Sequence, residues 1–531
     1  MKITQYALFF SGLILLSACK TSQISTKGLS FITAENVVFK KAPLTEKERE
    51  RWSHLDLQKD TIPGMSVDKA YDELLSKLKP SPIIVAVIDS GIDTNHEDLQ
   101  GRIWLNTKEI ANNGKDDDNN GFVDDLHGWN FLGNINKENL ELTRLMKTLK
   151  KGDAQYATVK KVYDKKLGEA KQEKFQVDMI NKMIETMDEH FGKKDYTIEE
   201  IKSVESLKPM VLNAKRYFIG ILENNQTTLE KFRLDIDDYS KQVNNKLNYN
   251  LNLEFDARGV LNDNPDDWNT NGYGNNEVEG PKLEDANHGT HVSGIIAQLR
   301  GNDKGGDGVV KDHVQIMCLR AVPDGDEYDK DVAKAIRYAV DNGAKIINGS
   351  FGKDFATHSE WLLEAIEYAA KKDVLIIHAA GNDSKEVKEG NNYPNDTRNN
   401  QEVANNFINI GAITFNWNEN LPAGFSNYSK TMVDIYSPGN DVYASIPNNK
   451  YEFYPGTSMA SPNAAGVATL LRSYFPKFSA EQTKKILLES GVSVPIKVNI
   501  PGTDTKVTFT ELCKTGKIVN AYNAVLMALR R

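Results

Sequence analysis

Three short segments of the chain carry groups able to act on an acyl carbon. Val85-Ala86-Val87-Ile88-Asp89-Ser90-Gly91 is an apolar, β-branched run that delivers Asp89 into a glycine turn. His288-Gly289-Thr290-His291-Val292-Ser293-Gly294 places His288 at the start of a small-residue helix. Gly456-Thr457-Ser458-Met459-Ala460-Ser461-Pro462 puts Ser458 at a helix N-terminus, with Pro462 near enough to the start to be tolerated. Singly, each has an ordinary explanation: a loop cap, a satisfied structural histidine, an N-cap serine. Together they supply nucleophilic catalysis. A serine hydroxyl is a poor nucleophile until a base takes its proton. His288 titrates in the range that suits such a base and can return the proton to a leaving amine. Asp89 would hold the imidazole in one tautomer and stabilise its charged form. The helix that Ser458 opens offers a positive dipole end and a free backbone N–H to a developing oxyanion.

Aspartate, histidine and serine in this chain order, within these segments, resemble the subtilisin-like serine proteases. The resemblance covers about 51–133 and 251–531. It implies a serine endopeptidase that cleaves polypeptides through an acyl-enzyme, with Asp89, His288 and Ser458 as its triad. It also implies that Asn382, in Ala379-Ala380-Gly381-Asn382, supplies the side-chain donor of the oxyanion hole. Asn348-Gly349-Ser350-Phe351-Gly352 resembles the family's substrate-binding edge, so Ser350, Phe351 and Gly352 are expected to pair with an extended peptide. Phe351 and Lys353 depart from the usual pattern and leave the pocket preference open. Two rivals carry different chemistry. An inactive binding protein on the same scaffold should have lost a triad or oxyanion residue, and none is lost. An esterase should show Gly-x-Ser-x-Gly, whereas the run here is Gly-Thr-Ser-Met-Ala.

The elements that must position these groups are legible as periodicity. Short apolar runs recur at 83–88, 314–319, 345–348, 374–379, 408–412 and 433–436, with helical patterns between them, notably 329–342 and 359–371. Apolar strands alternating with helices predict an α/β fold: three layers around a mainly parallel sheet, with functional groups at the carboxyl ends of the strands. Residues 134–250 differ. They are rich in Lys, Glu and Met at helical spacing, and predict an inserted all-α subdomain of antiparallel hairpins. Thr197 and Glu200 suit a capping box, and Pro209 is expected to interrupt the helix that follows. The 199 positions between Asp89 and His288 exceed the usual subtilase connection, and this segment accounts for the excess. It either restricts access to the cleft or recruits a partner, or it is a stabilising decoration.

Asp116 to Asp125 is dense in oxygen ligands. Asp116, Asp118 and Asn120 alternate before Gly121, Phe122 offers a carbonyl and Asp124 a further carboxylate, which is the first half of an EF-hand loop. His127 stands where the closing glutamate would be. A structural Ca²⁺ is expected, and no organic cofactor. Asn262 to Asp267 is a weaker acidic stretch, expected to be an exposed turn.

Of the residues, 40% are hydrophobic and 26% charged, and the net charge of −9 gives no basic face for nucleic acid. Lys2 and the apolar run from Tyr6 to Leu16 read as an export signal over 1–18, too short to span a membrane. Leu16-Ser17-Ala18-Cys19 resembles a bacterial lipobox, which implies acylation of Cys19 and tethering to a cell-envelope membrane. Each acyl CH₂ buried contributes ~0.8 kcal/mol. Residues 19–50 are expected to be a tether or short pro-segment, with no full-size pro-domain. Cys318 and Cys513 are left either as buried free thiols or as a disulfide.

Overall fold

The computed structural model describes residues 26–35, 37–224 and 227–531; the leader and Cys19 lie outside the described residues. The run at 83–88 becomes β1 (Ile83–Asp89), an interior strand of the nine-stranded central sheet. Its neighbours are β3 (Val314–Arg320) and β4 (Ile346–Gly349), both parallel to it. Beyond β3 lies β2 (Gly128–Asn130). Beyond β4 follow β5 (Leu375–Ala379), β8 (Phe407–Ile413) and β9 (Ile435–Pro438), again parallel. The edge is completed by β15 (Lys517–Ile518) and the antiparallel β12 (Val492–Ser493). Three two-stranded ladders lie outside this sheet: β6 (Thr397–Arg398) with β7 (Gln401–Glu402), β10 (Val442–Ile446) with β11 (Lys450–Tyr454), and β13 (Lys497–Asn499) with β14 (Lys506–Thr508).

Successive strand residues face opposite ways, so a strand covered on both sides must be apolar throughout. Val85 and Val87 enter one core, with Val292 and Ile295 of α8 (Asn287–Ala297) and Ala464 and Val467 of α11 (Thr457–Tyr474). Ala86 and Ile88 enter the other, with Ile336 of α9 (Asp329–Asp341) and Ile366 of α10 (Ser359–Lys371). Three layers result. Because the strands are parallel, Asp89, Gly349 and Ala379 all end on the same edge of the sheet.

The stretch from 134 to 250 folds mainly as helices: α3 (Glu141–Thr148), α4 (Tyr156–Phe191), α5 (Ile198–Ser203), α6 (Pro209–Asn224) and α7 (Leu229–Asn245). The Thr197–Glu200 capping box is present. Pro209 does not interrupt a helix; it opens α6, where its missing N–H costs no intrahelical bond. Leu142, Leu145, Val159 and Tyr163 form a small core at the base, and Met187, Val211, Phe218 and Phe232 form a second one further along.

Part of the expected tether is packed against the body. The Ile32 amide donates to Asn523 Oδ1 at 2.7 Å, and Asn523 Nδ2 donates to the Ile32 carbonyl at 2.9 Å. Trp52, just after α1 (Glu46–Arg51), is buried in the main core and donates its indole N–H to the Asp441 carbonyl at 2.9 Å. The Asn262–Asp267 stretch is not simply an exposed turn: the Asp263 side chain is enclosed, bonded to Arg258 at 2.7 Å and to Lys330. Burying a carboxylate is costly, and here two likewise buried cations offset that cost by pairing with it. Cys318 and Cys513 are buried free thiols. Among the described residues, no helix is long and apolar enough to cross a membrane.

Candidate active site

Asp89 ends β1 and is almost fully buried. Its Oδ1 accepts from His288 Nδ1 at 2.8 Å and from the Ser90 amide at 2.8 Å. Its Oδ2 has no partner. His288 is the second residue of α8, and that helix start is pinned to the β1 turn: Thr290 Oγ1 accepts from the Asp93 amide at 2.9 Å. A Cβ on Gly289 would lie 2.2 Å from the Gly91 carbonyl oxygen, so only glycine lets the two segments approach. Burial disfavours the imidazolium of His288, but the Asp89 carboxylate outweighs it by charge and hydrogen bond, and the net shift is upward from the ordinary value. The second histidine, His291, stacks on Tyr454 and is held neutral, its pKa lowered to about 3 by burial. His288, by contrast, keeps 39% of its side chain open to solvent.

Ser458 is the second residue of α11. Gly456 before it has φ +151°, a conformation that other residues rarely adopt. The Ser458 hydroxyl donates to the Ser350 carbonyl at 3.2 Å, while Ser350 Oγ donates to the Ser458 carbonyl at 2.9 Å. Ser461 Oγ donates to Asn348 Oδ1 at 2.8 Å, and Asn348 Nδ2 donates to Ser350 Oγ at 3.0 Å. The end of β4 and the first turn of α11 are thus locked together. Asn348 and Ser461 were not singled out from the sequence, because a buried Asn or Ser looks the same there as an exposed one.

Asn382 follows β5. Its Oδ1 accepts from the Thr457 amide at 2.8 Å and from Thr457 Oγ1 at 3.0 Å. Both acceptor directions being used, the amide nitrogen is left facing the cleft beside Gly456 and Ser458. Ser458, Asn382, Phe351 and Gly352 share one cavity of about 340 Å³. Ser350, the remaining expected edge residue, lies behind it in the lock with Ser458. Lys353 pairs backbone to backbone with Tyr393, at 3.0 and 2.9 Å, and so stiffens the cavity wall. Its side chain is buried on Glu141 of α3 at 3.0 Å and Asp329 at 2.8 Å. No sequence signal links Lys353 to Glu141, more than two hundred residues apart.

In the acidic loop, the carboxylate oxygens of Glu109, Asp116 and Asp118 lie within 4.8 Å of one another. Glu109 was not anticipated. Its Oε1 accepts from the Asp117 and Asp118 amides at 2.9 and 3.1 Å, and its buried Oε2 has no partner. Asn120 Oδ1 accepts from the Phe122 amide at 2.8 Å, and the two Asp124 oxygens accept from the Asn113 and Gly114 amides at 3.1 and 2.8 Å. Asn120 and Asp124 therefore brace the loop backbone, while the Phe122 ring packs on Trp129 and Tyr338.

The model of the subtilase family matches residues 81–508. The chain is 36% identical over 242 residues to a thermophilic serine proteinase of Bacillus sp. (strain AK1), which covers 45% of this chain and 52% of that protein. It is 32% identical over 239 residues to thermitase of Thermoactinomyces vulgaris, covering 45% and 74%. A cell wall-associated protease of Bacillus subtilis is 34% identical over 207 residues, covering 39% and 21%. Among solved structures, proteases from Pseudoalteromonas arctica match 91% of this chain and 97% of theirs at 18% identity, with a TM-score of 0.46. The chain spans about half the length of the first of these curated relatives. It belongs to the subtilase family.

Proposed function

We propose that the protein is a serine endopeptidase in which Asp89, His288 and Ser458 act in sequence on peptide bonds. The observation that carries this reading is the 2.8 Å Asp89–His288 pair at the start of α8, a helix that shares its core with α11, whose first turn holds Ser458 in one cavity with Asn382. The reaction begins when the Ser458 hydroxyl turns from the Ser350 carbonyl toward His288, which takes its proton as Oγ bonds to the substrate carbonyl carbon. The Asp89 carboxylate stabilises the imidazolium so formed. The oxyanion is met by the free Asn382 amide and by the backbone N–H at the start of α11, donors fixed before charge develops. His288 then gives its proton to the leaving amine as the C–N bond breaks, and a water repeats the cycle to release the acyl group.

The substrate is an extended polypeptide pairing along Ser350, Phe351 and Gly352. Casein digestion by the wild-type protein and its absence in Ser458→Ala tests the reading; equal digestion by both would overturn it. The protein is exported and held on a cell-envelope membrane through acylated Cys19. Mass spectrometry of its N-terminal peptide checks this, and an unmodified Cys19 in membrane fractions would refute it. A structural Ca²⁺ fits the acidic loop, because a buried carboxylate oxygen without a donor, beside two further carboxylates, is unfavourable until a cation joins them. Glu109, Asp116 and Asp118 would hold it, and its contribution would be to stiffen the loop that leads into β2.

A further inference from the structure

The cavity beside Ser458 is not built by the catalytic core alone. Leu140, Leu142 and Lys166 line it from the helical stretch, opposite Phe351 and Gly352. Lys166 lies on α4 and approaches Asp354 Oδ2 at 3.5 Å. Lys385 pairs with the other oxygen of Asp354 and reaches Asp383 at 3.3 Å. One carboxylate thus stands between two ammonium groups. The remaining ions around the cavity are engaged with one another. Lys353 is held by Glu141, Asp329 and the Glu327 carbonyl. Asp326 accepts the Glu141 amide at 2.7 Å and lies in the field of Arg144 and Lys353.

We propose, on the endopeptidase reading above, that Lys166 is a specificity-determining residue: it holds Asp354 neutralised, so the cavity takes an uncharged side chain and turns basic ones away. The side chain concerned belongs to the residue supplying the scissile carbonyl, because Ser458 and Asn382, which meet that carbonyl, line the same cavity. A lysine or arginine entering there meets two ammonium groups, and both carboxylates beside them, Asp354 and Asp383, are already paired. An acidic side chain would have to displace Asp354 from Lys385. A leucine or glutamine needs neither, and the apolar faces of Phe351, Leu140 and Leu142 favour contact with its stem. The helical stretch therefore selects substrate directly, through a residue it places inside the cleft.

The test uses the full-length protein and quenched peptides that differ only at the residue before the cut: Leu, Gln, Arg or Glu. Wild type is expected to cut the Leu and Gln peptides in preference to Arg and Glu. Lys166 is part-exposed and its ion pair correspondingly modest, so Lys166→Ala should raise the Arg-to-Leu ratio of kcat/KM about fivefold, and Lys166→Glu further. The gain should vanish in Lys166→Ala/Asp354→Asn, which removes the freed carboxylate. Lys165→Ala, one residue away and pointing to Glu169 at 3.7 Å, should leave the ratio where it is. A preference for Arg in wild type, or a ratio unmoved in Lys166→Ala while Ser458 still reacts with a fluorophosphonate, overturns the assignment alone. Loss of both labelling and cleavage in wild type overturns the endopeptidase reading and the assignment with it.

Discussion

Asp89 and His288 form a pair whose chemistry is set by what surrounds it. The upward shift of the imidazole follows from the carboxylate outweighing burial, and this fixes a pH dependence. Catalysis needs neutral His288, so the acid limb of kcat/KM should lie above the ordinary histidine value of about 6.5. For stability the sign is opposite: the pair's contribution is full below the unfolded-state value and is lost as pH rises through the raised folded value. In Asp89→Asn only burial remains, the limb should move below that ordinary value, and kcat/KM should fall about 10⁴-fold, the scale known for an amide in this role. A pH–rate profile of wild type and variant checks both points; an unchanged limb in the variant would contradict the role given to Asp89. At this scale the sequence was most informative, because Asp89, His288, Ser458 and Asn382 each sit in a short segment whose neighbours are also distinctive. The part of Glu109 in the acidic loop and the pairing of Lys353 were not legible. Glu109 stands ahead of the dense run whose amides it accepts, and the partners of Lys353 come from other elements.

Elements position these residues by where they end. β1, β4 and β5 are parallel, so Asp89, Gly349 and Ala379 leave the sheet together, and α8 and α11 begin opposite them. Six of the nine strands of the main sheet and the helices α9 and α10 were legible to within two residues, because both-face burial demands continuous apolar runs, whereas the short edge strands and the two-stranded ladders carry no such run. The packing of the residues before 51 was not legible. Ile32 lies in a stretch expected to be a tether, and nothing local says that it pairs with Asn523, hundreds of positions later. The acidic loop makes an expectation at this scale. With calcium a hundredfold above its Kd, bound ion would stabilise the fold by about 2.7 kcal/mol. A chelator should lower the melting temperature of wild type and lower that of Glu109→Gln by less; equal melting curves with and without chelator would remove the ion from the account.

Across the whole molecule, the helical stretch from 141 to 250 is joined to the cleft by charge as well as by packing. Glu141 reaches Lys353, Lys166 reaches Asp354, and Phe355 packs against the core formed by Leu142 and Tyr163. Helical periodicity revealed the helices, but only their placement on the cleft rim relates them to substrate. Everything else in the functional reading depends on Ser458 being an activated nucleophile. The direct measurement is fluorophosphonate labelling of the intact protein, with the adduct located by tandem mass spectrometry. One adduct, on Ser458, strongly slowed in His288→Ala and abolished in Ser458→Ala, is the expected result. An unlabelled wild-type protein, or an adduct on another serine that survives both substitutions, would contradict the account.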